Sequence, residues 1–138
     1  MKTKHYLTAA DVEILVDAAS KYAAVHSFNV SIAVVDDSGT LLMMKRMDGA
    51  PVLSTQICQE KAHSAAVSRR ATKASEDMIR DGKIGFLTIK AAKGMLEGGE
   101  PIVYQGQVVG AIGVSGVQSF QDAEIARHAI QQFLEQPT

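Results

Sequence analysis

Apolar residues recur along this chain with the period of a helix in three segments. The first follows Thr8, which with Asp11 forms a variant of a helix capping box, and it predicts a helix over residues 8–26. A second helical pattern places the following small or apolar side chains on one face: Ser54, Ile57, Cys58, Ala62 and Ala65. The third is an amphipathic helix at the end of the chain, predicted to be capped by Ser119 and Asp122.

Continuous apolar, β-branched runs separated by short turns predict two β-hairpins. The runs cover residues 30–35 and 41–44, then 101–104 and 107–114. Hairpins join antiparallel strands, whereas parallel strands need long crossover connections. The pattern therefore predicts a mixed α/β (α+β) layered fold, with a mostly antiparallel sheet of about five strands and helices on its faces.

The stretch between the two hairpins has a less regular pattern. Residues 73–79 and 87–95 are predicted to be helical, and Gly82 and Gly85 interrupt the pattern between them.

Length and charge narrow the range of functions. The 138 residues suit one domain, 1–138, and a net charge of -1 with 5% aromatic residues argues against a nucleic-acid surface. No run reaches the roughly 20 apolar residues of a membrane helix. Cys58 is the single cysteine, which excludes an internal disulfide and suits a reducing compartment. We expect a cytoplasmic protein whose partner is a small-molecule ligand.

Lys61 is a cation on the apolar face of the second helix, four residues after Ile57 and four before Ala65. Such a side chain either reaches the edge of the helix with its charged end or meets a partner. On the second interpretation Lys61 anchors an anionic ligand, or acts as a nucleophile or acid/base group after desolvation. Lys61→Met is then expected to weaken ligand binding and to leave the fold intact.

Two further groups are candidate ligand-binding residues. Arg46 and Asp48 follow a predicted strand, where Arg46 could bind a carboxylate and Asp48 could accept a hydrogen bond from Lys61 or act as an acid/base group. The alternative is that Asp48 and the following glycine simply form a turn. The second group, Gly113, Ser115 and Gly116, precedes the last helix; here glycines permit close approach of a ligand or of packed backbone.

Three segments resemble the GlcG/HbpS family: residues 32–39, residues 46–50, and the glycine-rich stretch 98–116. Their order and spacing cover nearly the whole chain. The resemblance implies a profilin-like α/β sandwich, a homo-oligomer, and relatives that bind haem, form the tail domain of cobalamin adenosyltransferases, or serve catabolic operons as accessory proteins. Residues 71–95 depart most from the family pattern.

We therefore expect a small-ligand-binding protein, with haem or a related tetrapyrrole as the best candidate ligand. One alternative is a small enzyme acting on a carboxylated catabolic intermediate, and another is an accessory or regulatory protein.

The four histidines lack metal-ligand spacing, so no metal site is predicted, although one histidine alone could ligate haem. His63 lies opposite the apolar face of its helix and is predicted to be a surface residue. We expect a site where residues 113–116 approach Lys61.

Overall fold

The computed structural model describes residues 1–137, which form one antiparallel sheet covered by helices on both faces. The elements follow one another along the chain as α1 (Ala9–Val25), β1 (Ser31–Asp36), β2 (Leu41–Arg46), α2 (Ser54–Ser68), α3 (Thr72–Arg80), a 3₁₀ helix (Ile84–Thr88), β3 (Gly99–Tyr104), β4 (Gln107–Ser115) and α4 (Ser119–Leu134). The strand order is β2-β1-β4-β3, and every neighbouring pair is antiparallel. Both predicted hairpins are confirmed. Within residues 1–137 the sheet has four strands where about five were expected, and these four are the strands of the two hairpins.

Helices α1 and α4 cover one face of the sheet. The α1 capping box is confirmed: Thr8 Oγ1 accepts from the backbone N–H of Asp11, and the Asp11 carboxylate accepts from the N–H of Thr8. Leu15 on α1 and Ile125 on α4 are fully buried against the sheet, with Ile112 of β4 among their neighbours in the same core. This face holds the larger of the two cores because both helices present branched side chains to it.

Helix α2 lies on the opposite face, over a second core made of small side chains. Cys58, Ala62, Ala65 and Ala66 of α2 pack against Ala33 and Val35 of β1 and Ala111 of β4. Burial raises the pKa of the Cys58 thiol to about 12, so this thiol stays protonated and serves as a small apolar group.

The segment between α3 and β3 differs from its prediction. Residues 73–79 are helical as expected, but residues 87–95 do not form a helix: the 3₁₀ helix occupies Ile84–Thr88 and irregular chain follows it. The apolar residues here have no core to pack on, and Ile84 and Leu87 are each 67% exposed. Without a buried face, a helical pattern gains little from tertiary packing.

The start of α4 also departs from expectation. Gln118, and not Ser119, is the N-cap residue, and its backbone N–H donates to the side chain of Gln121. Asp122 lies in the first turn of α4 but points inward and is buried. Asp122 supports the start of the helix by accepting from the backbone N–H of Val117, and its other carboxylate oxygen has a partner in α2, which the cap pattern did not predict.

No helix within residues 1–137 is long and apolar enough to cross a membrane.

Candidate functional site

Lys61 does not reach the solvent: it is 2% exposed and held by two buried partners. Its Nζ donates to the carbonyl oxygen of Val114 at 2.9 Å and to Asp122 Oδ2 at 3.2 Å. These contacts join α2 to the end of β4 and the start of α4. The interpretation that Lys61 meets a partner is therefore the one that the structure supports, and that partner is a residue of the chain itself.

The carboxylate of Asp122 is satisfied on both oxygens. Oδ2 accepts from Lys61, and Oδ1 accepts from the backbone N–H of Val117 at 3.2 Å. Burial raises the pKa of Asp122 to about 6, while the Lys61 ammonium and the Val117 N–H act in the opposite direction. A buried ion pair of this kind holds three elements in register, and removing either partner leaves an uncompensated charge or polar group.

Glycines surround this pair and allow close packing. At Gly98, where φ is +131°, an added Cβ would lie 2.7 Å from Lys61 Nζ. At Gly113 an added Cβ would overlap the carbonyl oxygen of Cys58 on α2. The structure thus brings residues 113–116 to Lys61, as expected, with Val114 making the contact, but the space between them is filled by backbone.

The other candidate residues near Lys61 have internal roles too. Ser115 is buried at the end of β4, and Gly116, at φ +146°, packs against the backbone of Asn29 and Val30. Their role in ligand binding stays a prediction, as does that of Lys61.

Arg46 and Asp48 lie apart from Lys61. The Arg46 guanidinium donates through Nε and Nη2 to the carbonyl oxygen of Ala50, at 3.2 and 2.8 Å. Asp48 is exposed in the turn closed by the hydrogen bond from the Ala50 N–H to the Met47 carbonyl. Arg46 thus makes its bidentate contact with the backbone of its own loop, and the turn interpretation of Asp48 and Gly49 describes the observed geometry.

A cleft of about 350 Å³ lies between α2, the β1–β2 turn and residues 90–93. Its walls combine apolar, imidazole and charged groups: Val35, Gly39, Leu41, Gln59, Glu60, His63, Lys90, Ala91 and Lys93. We call this the His63 cleft. A groove of about 720 Å³ adjoins it, shares Lys90 and Lys93, and is lined by apolar residues that include Leu87, Ile89 and Leu96.

His63 is half-buried in the wall of this cleft, and not fully on the surface as predicted. Its Nδ1 lies 2.9 Å from the carbonyl oxygen of Gly39, in the β1–β2 turn. The helical period placed His63 away from the sheet, but it could not show that the turn curls over this side of α2. Sequence reasoning missed Lys90 and Lys93 entirely, because charged residues in an irregular segment carry no spacing that indicates a site.

Within the described residues 1–137, no three or more His, Cys, Asp or Glu side chains come together in a way that could hold a metal ion.

Comparison with known proteins places this chain among relatives of the same size and fold. The family described as haem degrading protein HbpS-like matches residues 7–131. Protein GlcG of Escherichia coli strain K12 is 43% identical over 115 residues, which cover 83% of this chain and 85% of GlcG.

Two solved structures extend the similarity to the fold. The crystal structure of the Klebsiella pneumoniae protein ORFY superposes with a TM-score of 0.93 at 31% identity, covering 99% of this chain and 97% of ORFY. The crystal structure of a PduOC:heme complex superposes with a TM-score of 0.82 at 27% identity, covering 93% of this chain and 95% of that one. The resemblance that residues 32–39, 46–50 and 98–116 indicated is confirmed, and this chain belongs to the HbpS-like family, with GlcG as a homologue.

Proposed function

We propose that this chain binds haem or a related anionic tetrapyrrole, and that it acts as a ligand-binding protein within a cytoplasmic homo-oligomer. The observation that carries the proposal is the His63 cleft with its adjoining groove. Family membership and the haem complex of the PduOC relative support the same ligand.

The chemistry of the cleft fits such a ligand. A tetrapyrrole presents a wide apolar plane, a metal that takes a nitrogen, sulfur or oxygen ligand, and two propionates at one edge. The groove offers exposed Leu87, Ile89 and Leu96 to the plane. Lys90 and Lys93 lie where the groove meets the cleft and supply two positive charges for carboxylates. Each of the two spaces, about 350 and 720 Å³, falls in the size range of small-ligand sites, roughly 300–1,000 Å³.

The enzyme alternative finds less support in the geometry. Its predicted anion clamp and acid/base groups were Lys61, Arg46 and Asp48. Asp122 and Val114 hold Lys61, the Ala50 carbonyl holds Arg46, and Asp48 is an exposed turn residue. The accessory-protein alternative is compatible with haem binding and stays a prediction.

Titration of the purified protein with hemin, followed by the Soret absorbance, tests the proposal. We expect a saturable change with a fixed stoichiometry per chain.

Replacing both Lys90 and Lys93 with Glu should weaken hemin binding about tenfold or more, because two attractive charges become repulsive. Lys83→Glu is the matched control, since Lys83 is exposed in the same segment and lies outside both cavity walls.

Absence of a saturable spectral change in the unsubstituted protein would refute the proposal that the chain binds haem.

Light scattering on the same sample tests the proposed homo-oligomer. A mass above that of one 14.7 kDa chain supports an oligomer, and the mass of one chain contradicts it.

A further inference from the structure

We infer that His63 is the protein ligand to the metal of the bound tetrapyrrole, and that it binds through Nε2. This inference rests on the proposed function and adds to it the residue and the atom that hold the metal.

The first step is the tautomer of the imidazole. The carbonyl oxygen of Gly39, 2.9 Å from His63 Nδ1, can only accept a hydrogen bond. Nδ1 of the neutral ring must therefore carry the proton, and the lone pair remains on Nε2. Histidines that ligate metals commonly have this arrangement, in which a backbone carbonyl fixes the ring and its tautomer from the far side.

The second step is how the ring is held. At Gly39, where φ is +83°, an added Cβ would lie 2.5 Å from His63 Nδ1 and 2.8 Å from Cε1, so the ring edge rests directly on the glycine. The turn beneath it is fixed by Asp36, whose Oδ1 accepts from the N–H groups of Ser38 and Thr40, both at 2.9 Å. His63 is thus oriented by a rigid turn before any ligand arrives.

The third step is what surrounds the ring. His63 belongs to the wall of the His63 cleft, and its one hydrogen bond within residues 1–137 is made by Nδ1. Leu41 and Val35 are apolar neighbours in that wall, and Lys90 and Lys93 lie in the same cleft as counter-charges for propionates. Glu60 is the acidic residue of the wall, and it accepts a hydrogen bond from Gln56 at 3.0 Å. The cleft therefore contains a histidine that can ligate a metal, together with two lysines and one glutamate, which give it a net positive charge.

The other histidines lack this combination. His26 has the same hydrogen bond, from Nδ1 to the Tyr22 carbonyl at 2.8 Å, but it is exposed and stacks on Tyr22 and Phe28. His5 packs against Tyr104 at 4.9 Å between ring centres, and His128 against Tyr22 at 4.4 Å. His26 is therefore a matched control, because it shares the carbonyl contact with His63 and lies outside the cleft.

The experiment compares hemin titrations of the unsubstituted protein, His63→Ala and His26→Ala. Iron-free protoporphyrin IX, followed by its fluorescence, is titrated in parallel because it offers the same plane and propionates without a metal. For His63→Ala we expect a shifted Soret band and about tenfold or greater loss of hemin affinity. Added imidazole should restore the band, and protoporphyrin affinity should change less than about twofold. His26→Ala should match the unsubstituted protein in both titrations.

Three outcomes would overturn the inference. The first is a His63→Ala protein whose hemin spectrum and affinity are unchanged, which leaves the proposed function standing. The second is equal loss of hemin and protoporphyrin binding, which assigns His63 a role in cleft shape. The third is failure of the unsubstituted protein to bind hemin, which removes the proposed function together with this inference. Circular dichroism of each variant verifies that it is folded.

Discussion

At the scale of single residues, the buried pair of Lys61 and Asp122 has a large energetic consequence when one partner is removed. Both side chains are 3% exposed, and their charged atoms lie 3.2 Å apart. Transferring two charges from water into a protein interior is costly, so the pair adds little net stability compared with an apolar replacement. Breaking it is different, because the remaining charge stays buried without its counter-ion.

This pair changes the expectation for Lys61→Met. We now predict that the substitution lowers the free energy of unfolding by about 3 kcal/mol near neutral pH, since Asp122 loses its cation. Lys73→Met is the control: Lys73 pairs with Asp77 at 3.0 Å, but both side chains are well exposed, and such pairs contribute about 0.5 kcal/mol. Urea unfolding of both variants measures the difference, and equal losses would contradict the prediction.

The same variant has an expected pH dependence. Burial holds the folded-state pKa of Asp122 at about 6, above its ordinary value of 3.8. The stability that this group contributes is therefore fully present below pH 3.8 and is lost as the pH rises through about 6. Because Lys61 lowers the pKa of Asp122, removing Lys61 raises that pKa further above its ordinary value. More stability is then lost between acidic and neutral pH. The penalty of Lys61→Met should be smaller near pH 4.5 than near pH 7, and a penalty that is independent of pH would count against the buried-pair interpretation.

At the scale of elements, the packing of α2 on the sheet depends on a row of small residues across the strands. Ala33 of β1 pairs with Gly113 of β4, and Gly113 pairs with Gly99 of β3. The backbone of α2 lies directly on this row: a Cβ at Gly113 would overlap the Cys58 carbonyl, and one at Gly99 would overlap the Lys61 carbonyl. The glycines thus determine the distance between α2 and the sheet. Because His63 belongs to α2, they also determine the position of His63.

Gly113→Ala should separate α2 from β4 and lower the free energy of unfolding by about 1–3 kcal/mol, since overpacking forces the backbone to shift. Gly85→Ala serves as the control, because a Cβ there meets no atom within 4 Å and should be neutral or slightly stabilising. Thermal unfolding of the two variants provides the comparison. A Gly113→Ala protein as stable as Gly85→Ala would show that the contact with α2 is not tight.

At the scale of the whole molecule, packing is uneven. The sheet and three helices share two buried cores, whereas the 3₁₀ helix contributes no buried residue. The chain after it is held by three side-chain contacts: Ser64 donates to the Lys93 carbonyl, Thr72 donates to the Leu96 carbonyl, and the Glu76 carboxylate accepts from the backbone N–H of Glu97. Segments with few buried apolar contacts open most readily, and the proposed ligand would contact this one.

We therefore predict that backbone amides in residues 82–92 exchange with solvent fastest among the internal segments, and that hemin slows their exchange. The physical reason is that a bound tetrapyrrole would cover Leu87 and Ile89 and order Lys90. Hydrogen exchange measured by mass spectrometry, with and without hemin, tests this. Peptides from β4 provide the reference, since their exchange should be slow in both samples. Protection confined to other segments would place the ligand elsewhere.

The amino-acid sequence by itself determined the parts of this protein that local patterns specify. Hydrophobic periodicity and turn chemistry identified α1, α2 and both hairpins, the Thr8–Asp11 cap was readable within four residues, and the motifs indicated the family. Tertiary structure decided what each side chain meets. Asp122 resembled a helix cap in sequence, yet it pairs with Lys61, 61 residues away along the chain. The His63 cleft likewise depends on a turn and an irregular segment folding over α2, because periodicity gives the face of a helix but not what lies against it.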